Sequence, residues 1–466
     1  MNAEERILRF LDTAEAELVA MAQDIWEHPE LGQQESYAAK LQADRLAAAG
    51  FEISQGVDQL PTAFVATWGQ GKPIIGILGE YDALPSLSQQ VSATQIPIVE
   101  GDPGHGCGHN LLGMAGVGAA LAVKDSMQDA GVQGTIRYYG CPAEETLVGK
   151  VYMARAGVFD DLDAVITWHP SYINSARYTS ASALNSFKVN FHGIAAHAGG
   201  TPEAGRSALD GVQLMDVGVN YMREHVIQDA RVHCVITEGG QAPNVVPPYA
   251  QVWYYVRAPN RDQVDLIYSW MLDIAQGAAL MTGTSFDIEF LTGCYNTLPN
   301  EVLGELLVEK LRLAGPPRFT AAEKDLARKL QETFPPGSIE KAEQRFEMTR
   351  EEMGDPLCEV ITEPSGMGKV MGGSTDVGDV SHITPTMELT TCCQALGTPG
   401  HSWQFVVTSG SSIGHKGMML AAKAMALAVF DLETKPNIVQ AARDEFKRKT
   451  GGKSYVSPLP EGAVPR

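Results

Sequence analysis

A chain of 466 residues is longer than one ordinary core supports, so we expect two domains, or one domain that carries an insertion. Acidic residues outnumber basic ones by 56 to 35, giving a formal net charge of -21, which disfavours nucleic acid and anionic membranes as partners. The acidic N-terminus, the absence of a long uncharged apolar run and seven cysteines without the dense spacing of a disulfide-rich secreted domain together predict a cytoplasmic protein with reduced thiols.

In the first third of the chain, helical and strand patterns alternate. Helical periodicity is present at residues 4–27 and 35–49, and a long apolar helix is predicted at residues 111–124. Short apolar runs typical of buried strands occur at residues 63–68, 74–79, 135–139 and 164–168. This alternation predicts an α/β domain in which helices cover both faces of a central sheet.

The pattern changes near residue 185. Strands are predicted at residues 186–192, 251–257 and 285–291, and amphipathic helices at residues 208–222 and 264–282. We interpret residues 185–297 as an inserted α+β domain of ferredoxin-like order. Residues 1–184 and 298–466 then form the first domain, which ends with a strand at 403–408 and a helix at 416–432. Residues 316–371 are predicted to be a peripheral insertion of surface helices and loop, with no readable function.

Three predicted strands end at residues that bind metals in proteins. They run into Glu80 and Asp82, into Glu144 and Glu145, and into His169. Ligands of open α/β sheets gather at the carboxyl ends of the strands, so these residues are expected along one edge.

Cys107 and His109 stand two residues apart in a glycine-rich run before the helix at 111–124. Glycines allow a tight turn, so the thiolate and the imidazole can aim at one cation or at a pair. No Lys-Ser or Lys-Thr pair follows the glycines, which argues against a phosphate-binding loop.

Glu144 and Glu145 are neighbours of the same type that leave a strand in different directions. One carboxylate can therefore bind a metal while the other handles protons. A pair of divalent cations lowers the pKa of water and polarises a carbonyl group. These residue types together predict metal-dependent hydrolysis.

The motifs resemble those of the dinuclear-metal aminoacylase and carboxypeptidase family, and most of all its amidohydrolase branch. The similarity covers residues 26–300 and 373–432, which is most of the chain. The motifs that carry it are His28-Pro29-Glu30-Leu31-Gly32, Tyr81-Asp82-Ala83-Leu84-Pro85, His105-Gly106-Cys107-Gly108-His109, Pro142-Ala143-Glu144-Glu145, His197-Ala198, Asn244-Val245-Val246-Pro247 and Gly400-His401-Ser402.

The resemblance implies a role for each matching residue. Cys107 would be a bridging thiolate between two divalent ions, Mn²⁺ or Zn²⁺, Glu144 would be the general base, and the other ligands would be His109, Glu145, His169 and His401. The substrate-binding residues would be His197, Asn244 and Arg257. The implied fold is a zinc-exopeptidase-like domain with a mixed sheet, and the inserted domain would act as a lid and mediate dimerisation.

The sequence departs from the family pattern at two places. The wider branch has Asp after Cys-Gly-His and another His soon after, whereas Asn110, Leu111 and Leu112 stand here. Asp82 matches an aspartate that supports a ligand histidine in other branches, but residue 80 is Glu. We therefore expect Asp82 to orient a ligand and not to bind metal itself.

Other interpretations exist for several of these residues. His382 and His415 compete with His401 as the last ligand, and Arg257 could instead pair with a carboxylate on its own sheet. Gly410-Ser411-Ser412-Ile413-Gly414 matches a nucleophile elbow between a strand and a helix, but the only later histidine is His415, three residues away.

The substrate that the resemblance favours is an N-acyl or N-aroyl amino acid of the p-aminobenzoyl-glutamate kind, and a dipeptidase or another N-acyl amino acid deacylase stays open. A different class, a non-catalytic partner chain, could lose a ligand, but here the set is complete. The resemblance favours a homodimer, and a heteromer with a homologous chain stays open.

Overall fold

The computed structural model describes residues 1–465, and the chain divides into two compact units. The large unit consists of Met1–Thr179, Leu298–Lys369 and Val380–Tyr455. The small unit consists of Ser180–Thr297, Val370–Asp379 and the described residues after 455. Each unit therefore contains segments that are distant in the sequence.

The large unit is built on a seven-stranded sheet with the strand order β1-β2-β4-β3-β5-β13-β6. The strands are β1 (Glu52–Val57), β2 (Leu60–Gln70), β3 (Ile74–Glu80), β4 (Gly134–Cys141), β5 (Ala164–Ser171), β6 (Ser175–Ala176) and β13 (Thr386–Cys392). The central strands β4, β3, β5 and β13 are parallel, and β1, β2 and β6 pair antiparallel to their neighbours. The predicted mixed sheet is confirmed.

The helices of the large unit pack against this sheet and against one another. They are α1 (Ala3–Glu27), α2 (Ser36–Ala48), α3 (His109–Ala130), α4 (Gly149–Arg155), α7 (Glu301–Ala314), α8 (Ala321–Gln331), α9 (Ser338–Phe346), α11 (Trp403–Ser409), α12 (Ser412–Thr434) and α13 (Pro436–Thr450). One further short helix, α10, is Val377–Ser381.

The two faces of the sheet are both buried, as its continuous apolar strands require. Alternate residues of β5 separate the faces: Ile166 and Trp168 belong to the main core with α1, α3 and α12, whereas Val165 points to the opposite side. On that side Tyr139 of β4 packs on Phe159 with ring centroids 4.8 Å apart. Helices and loops on both faces therefore exclude water from the sheet.

The parallel strands place their carboxyl ends at one edge of the sheet. The chain leaves β3, passes through α3 and returns as β4 on one side, and it then passes through α4 and enters β5 on the other side. Such a switch in direction opens a crevice at the carboxyl edge, where α/β proteins bind ligands.

The small unit has a four-stranded antiparallel sheet and two helices. Its order along the chain is β8 (Ala183–His192), α5 (Ala208–Met222), β9 (Arg231–Glu238), β10 (Tyr249–Ala258), α6 (Arg261–Thr282) and β11 (Ser285–Cys294). The strand order β11-β8-β10-β9 is that of a ferredoxin-like fold, so the predicted topology is confirmed. Two short strands, β7 (Ser180–Ala181) and β12 (Val370–Met371), pair in parallel within the same unit.

The strand expected at residues 403–408 is wrong, because these residues form helix α11. Ser402 caps its first turn by accepting a hydrogen bond from the Phe405 amide at 3.3 Å. The helix is buried on nearly all sides, and its central residues Phe405, Val406 and Val407 form an apolar run that resembles a core strand. Strands β1, β9 and β13 were not predicted, because each carries many polar residues.

Helix α12 is, among the described residues, the one helix long and apolar enough to cross a membrane. However, 83% of its most apolar window is buried within the protein. Core helices of globular proteins have the same composition, so this feature is explained by packing against α1, α3 and α7.

Candidate metal centre

The carboxyl edge of the sheet brings together side chains from four separate stretches of the chain. Glu80 ends β3, Glu144 and Glu145 follow β4, and His169 lies near the end of β5. His401 comes from the loop between β13 and α11. The expected gathering of these residues at one edge therefore occurs.

Cys107 and His109 reach this edge because the glycine-rich run turns tightly into α3. Gly108 has a φ of 78°, a left-handed conformation that favours glycine, and it precedes the first residue of the helix. A Cβ atom at Gly108 would also lie 3.0 Å from the ring of Pro170. The turn thus aims the thiol and the imidazole at the strand ends.

Three groups of side chains place their donor atoms within 4.8 Å of one another. Two of them share the thiol of Cys107 and contain all five predicted ligands. The groups are Cys107, His109 and His169; Cys107, Glu145 and His401; and Glu80, His109 and Glu144.

Two short contacts show how closely the donors approach. Cys107 Sγ lies 3.3 Å from His169 Nε2. His401 Nε2 lies 3.2 Å from Glu145 Oε2. His401 itself has a φ of 52°, an uncommon conformation for a residue other than glycine that accumulates at functional sites.

Asp82 does not join these groups but bonds to two of their members. Its Oδ1 lies 2.9 Å from His109 Nδ1, and its Oδ2 accepts a hydrogen bond from the Glu145 amide at 2.9 Å. His109 therefore turns its Nε2 toward the other donors. This is the arrangement by which a carboxylate orients a histidine ligand.

The turn that carries the two glutamates is anchored by a buried carboxylate. Ala143 has a φ of 53°, and its amide donates a hydrogen bond of 2.7 Å to Glu35 Oε1. Glu35 also accepts from the hydroxyl of Thr62 at 3.1 Å. Burial, followed by the charge of Asp82, raises the pKa of Glu35 to about 7. No sequence motif had marked Glu35, because its partner lies 108 positions away.

The centre carries an excess of acidic groups. Burial, together with the charges of Asp82 and Glu80, raises the pKa of Glu145 to about 7 despite the opposing effect of His109. Burial and the charge of Glu145 raise the pKa of the Cys107 thiol well above its usual value. Burial lowers the pKa of His109, but Cys107 and Asp82 more than offset this, so it is raised well above its usual value. Without a cation, protons must balance this negative charge.

Two observations indicate that these residues suit a pair of divalent cations. His109 Nε2 and Glu145 Oε1 are buried and have no hydrogen-bond partner among the described residues, and such buried orphan atoms point to an ion that they bind. The donors are a thiol, imidazoles and carboxylates, the ligand types that Zn²⁺ and Mn²⁺ accept. That these residues bind metal stays a prediction.

Glu80 and Lys150 form a buried ion pair that the sequence did not reveal. Lys150 Nζ lies 2.6 Å from Glu80 Oε1, and both side chains are almost fully buried. Glu80 Oε2 in turn lies 3.4 Å from His109 Nε2. Lys150 follows the Glu144-Glu145 pair by only a few residues, but a lone lysine on a short helix carries no signal of burial.

Two other polar residues of the glycine-rich run serve packing. The His105 ring contacts the carbonyl of Ile25 at 3.2 Å, and burial lowers its pKa to about 3. Asn110 donates to the carbonyls of Ala22 and Ser409 at 3.2 and 3.1 Å. Asn110 thus links α3 to α1 and α11.

The alternative residues do not join the donor groups. Neither His382 nor His415 belongs to a group of metal-binding side chains among the described residues. Ser412 of the nucleophile-elbow match lies at the start of α12, and its hydroxyl donates to Glu323 at 2.5 Å.

The predicted substrate-binding residues belong to the small unit. His197 and Asn244 lie on adjacent segments, because the Ala198 amide donates to the Asn244 carbonyl at 3.0 Å and His197 pairs with Val245. The His197 ring accepts from the Gly200 amide at 3.0 Å. Arg257 of β10 donates to the hydroxyl of Ser374 at 2.9 Å. Their role toward a substrate stays a prediction.

A mixed α/β sheet whose carboxyl edge carries a thiol, three imidazoles and several carboxylates is typical of metal-dependent hydrolases. Comparison with known proteins agrees. Residues 179–279 match a peptidase dimerisation domain of the M20 type. A dinuclear metal-binding peptidase of the M20 family from Bacillus subtilis shares the fold, with a TM-score of 0.58 at 18% identity, over 91% of this chain and 99% of that chain.

Two full-length relatives are more similar in sequence. The chain is 41% identical to the B subunit of p-aminobenzoyl-glutamate hydrolase from Escherichia coli K12, with 99% of each chain covered. It is 30% identical to the Xaa-Arg dipeptidase of Mus musculus, over 96% of this chain and 92% of that one. The chain therefore belongs to the M20 family of metal-dependent peptidases and amidohydrolases, as the motifs predicted. It is a hydrolase that acts on amide bonds.

Proposed function

We propose that this chain hydrolyses the amide bond of an N-acyl or N-aroyl amino acid of the p-aminobenzoyl-glutamate kind. Two divalent cations, Mn²⁺ or Zn²⁺, would be held by Cys107, His109, Glu145, His169 and His401. The observation that carries the proposal is the convergence of these five side chains, with the shared thiol of Cys107 in both donor groups. The 41% identity to one chain of a p-aminobenzoyl-glutamate hydrolase supports the choice of substrate.

The cations would supply Lewis acidity, which activates water and polarises the scissile carbonyl. The chain's own residues manage the proton. A carboxylate oxygen of Glu144 lies within 4.8 Å of donor atoms of His109 and Glu80, so it faces the centre. Glu144 would accept a proton from the attacking water and deliver it to the leaving amine. Asp82 holds the imidazole of His109 and the backbone of Glu145 in place during this transfer.

His197, Asn244 and Arg257 would bind the substrate from the small unit. His197 and Arg257 offer imidazole and guanidinium donors that suit a carboxylate or a carbonyl oxygen. The small unit would also mediate association into a homodimer, which its match to a dimerisation domain supports. A heteromer with a homologous chain is the alternative, because the 41% identical relative is itself one of the subunits of a hydrolase. A cytoplasmic location is part of the same proposal.

The test is release of p-aminobenzoate from p-aminobenzoyl-glutamate by protein stripped with a chelator and then loaded with Mn²⁺ or Zn²⁺. Activity should be absent after chelation and return with metal, and two metal ions per chain should be measured by elemental analysis. His197→Ala should lower turnover while both ions stay bound. Full activity of metal-free protein would overturn the proposal.

A dipeptidase is the second candidate, because the chain is 30% identical to an Xaa-Arg dipeptidase over 96% of its length. The same loaded protein should be assayed with dipeptides that end in arginine. A non-catalytic role is disfavoured, since neither Glu144 nor any of the five ligands has been replaced.

A further inference from the structure

A cavity lined partly by polar side chains lies in the large unit beside the candidate metal centre. It is small and partly open to solvent. Among the side chains that line it are two arginines from distant parts of the chain, Arg177 after β6 and Arg345 on α9, together with Ser175, Ser365 and Thr390. Two guanidinium groups among hydroxyl groups are typical of sites that bind carboxylates or phosphates.

The register of the sheet places this cavity next to His169. Thr390 of β13 is the partner of His169 of β5, and it is also the partner of Ser175 of β6. The cavity wall is therefore one to two strand spacings from His169, on the order of 5–10 Å.

The two arginines differ in their partners. Arg177 lies 2.6 Å from the buried carboxylate of Glu388, so its charge is balanced. Arg345 forms no salt bridge among the described residues, and its ring neighbours are Phe346, 5.3 Å from its guanidinium carbon, and Tyr172. Arg345 is exposed, and partial desolvation, followed by the charge of Arg177, lowers its pKa. The cavity therefore carries one positive charge without a counterion.

We propose that this cavity binds a carboxylate on the amino-acid part of the substrate, with Arg345 as its cation. Because the cavity adjoins His169, a substrate whose amide lies at the metal centre can extend an acidic side chain toward Arg345. The inference rests on the proposed function and narrows its substrate class to amides of acidic amino acids. It also gives residues 316–371 a role, since they contribute Arg345 and Ser365 to the cavity.

The positive charge of the cavity distinguishes between the substrates for which two relatives are named. The p-aminobenzoyl-glutamate hydrolase subunit is named for a substrate that contains glutamate, which is acidic. The Xaa-Arg dipeptidase is named for dipeptides that contain arginine, which is basic. An unbalanced guanidinium attracts the first and repels the second. The cavity therefore favours the hydrolysis of a glutamate amide over that of an arginine dipeptide.

Binding of glutarate, a simple dicarboxylate, tests the cavity without turnover. Titration calorimetry on the metal-loaded protein should give a dissociation constant that rises about 10-fold or more in Arg345→Gln. Arg350→Gln is the matched control, because Arg350 lies on the same segment but pairs with Asp355 at 3.0 Å and does not line the cavity. Equal glutarate binding in all three proteins would overturn the inference. Phosphate that binds through Arg345 more tightly than glutarate would overturn the carboxylate assignment.

Steady-state kinetics with a matched pair of substrates test whether the cavity binds the substrate during turnover. Arg345→Gln should raise KM for p-aminobenzoyl-glutamate about 10-fold with little change in kcat, and it should leave KM for p-aminobenzoyl-glutamine unchanged, since only the side-chain charge differs. Equal losses on both substrates would assign Arg345 a structural role and overturn the inference. If the wild-type protein hydrolyses neither substrate while glutarate binding still depends on Arg345, the proposed function fails and an anion site remains.

Discussion

Asp82 and His109 are joined by a buried contact of 2.9 Å between Oδ1 and Nδ1, and the other oxygen of Asp82 holds the backbone of Glu145. Burial raises the pKa of Asp82, but the hydrogen bond and charge of His109 outweigh this effect, so the net pKa is lowered and the carboxylate is charged. Its charge fixes which nitrogen of His109 faces the centre.

We predict that Asp82→Asn weakens metal binding about 10- to 100-fold, because the amide keeps the shape but loses the charge that orients His109. The dissociation constant should be measured by competition with a chelating dye. Asp102→Asn, an exposed aspartate in the loop before Cys107, is the control and should bind metal like the wild type. Unchanged affinity in Asp82→Asn would show that packing alone orients the ring.

Glu144 and Glu145 should respond differently to the same substitution. If Glu144 moves the proton, Glu144→Gln should keep both metal ions and the fold but lose about 10²-fold or more in kcat. If Glu145 is a ligand, Glu145→Gln should lose or weaken one ion, and added metal should partly restore activity. Metal content and turnover at saturating substrate decide between them. An active Glu144→Gln enzyme, or equal metal loss in both variants, would show the roles to be misassigned.

The buried pair of Lys150 and Glu80 should be needed for stability as a unit. Lys150→Met leaves the Glu80 carboxylate without its cation and should lower the free energy of unfolding by about 3–5 kcal/mol. The double variant Lys150→Met/Glu80→Gln should recover part of this loss, because neither charge remains buried. Urea unfolding in the presence of a chelator measures both. Effects that simply add would contradict an energetic coupling between the two side chains.

Glu433 should make stability depend on pH. Both of its carboxylate oxygens are buried without a hydrogen-bond partner among the described residues. Burial, followed by the charge of Asp163, raises its pKa from an ordinary 4.5 to about 9. Between these values the folded chain holds a proton that the unfolded chain releases, so this group makes stability fall as pH rises from about 4.5 to 9.

Glu433→Gln should remove this dependence and raise the free energy of unfolding at pH 8 by about 1–3 kcal/mol. The measurement is the urea midpoint of both proteins at several pH values from about 5 to 9. The exposed Glu332→Gln is the control and should follow the wild-type curve. Parallel curves for the wild type and Glu433→Gln would contradict the raised pKa.

The fold class and the members of the candidate centre could be inferred from the sequence alone. Strand patterns that end in Glu80, Glu145 and His169 are local features, and the parallel direction of strands between helices places their ends at one edge. The glycine-rich run before Cys107 is equally local. The resemblance of these motifs to a known family supplied the full set of five ligands, His401 among them, and the structure brings their donor atoms close together.

The surroundings of these residues, in contrast, became visible only once the chain was folded. The anchor from Glu35 to Ala143, the ion pair of Glu80 with Lys150 and the cavity of Arg177 and Arg345 each join segments separated by 70 residues or more. Such contacts depend on how elements pack and not on periodicity. The error at residues 403–408 has the same cause, since a short element buried on all sides has no polar face to reveal its period.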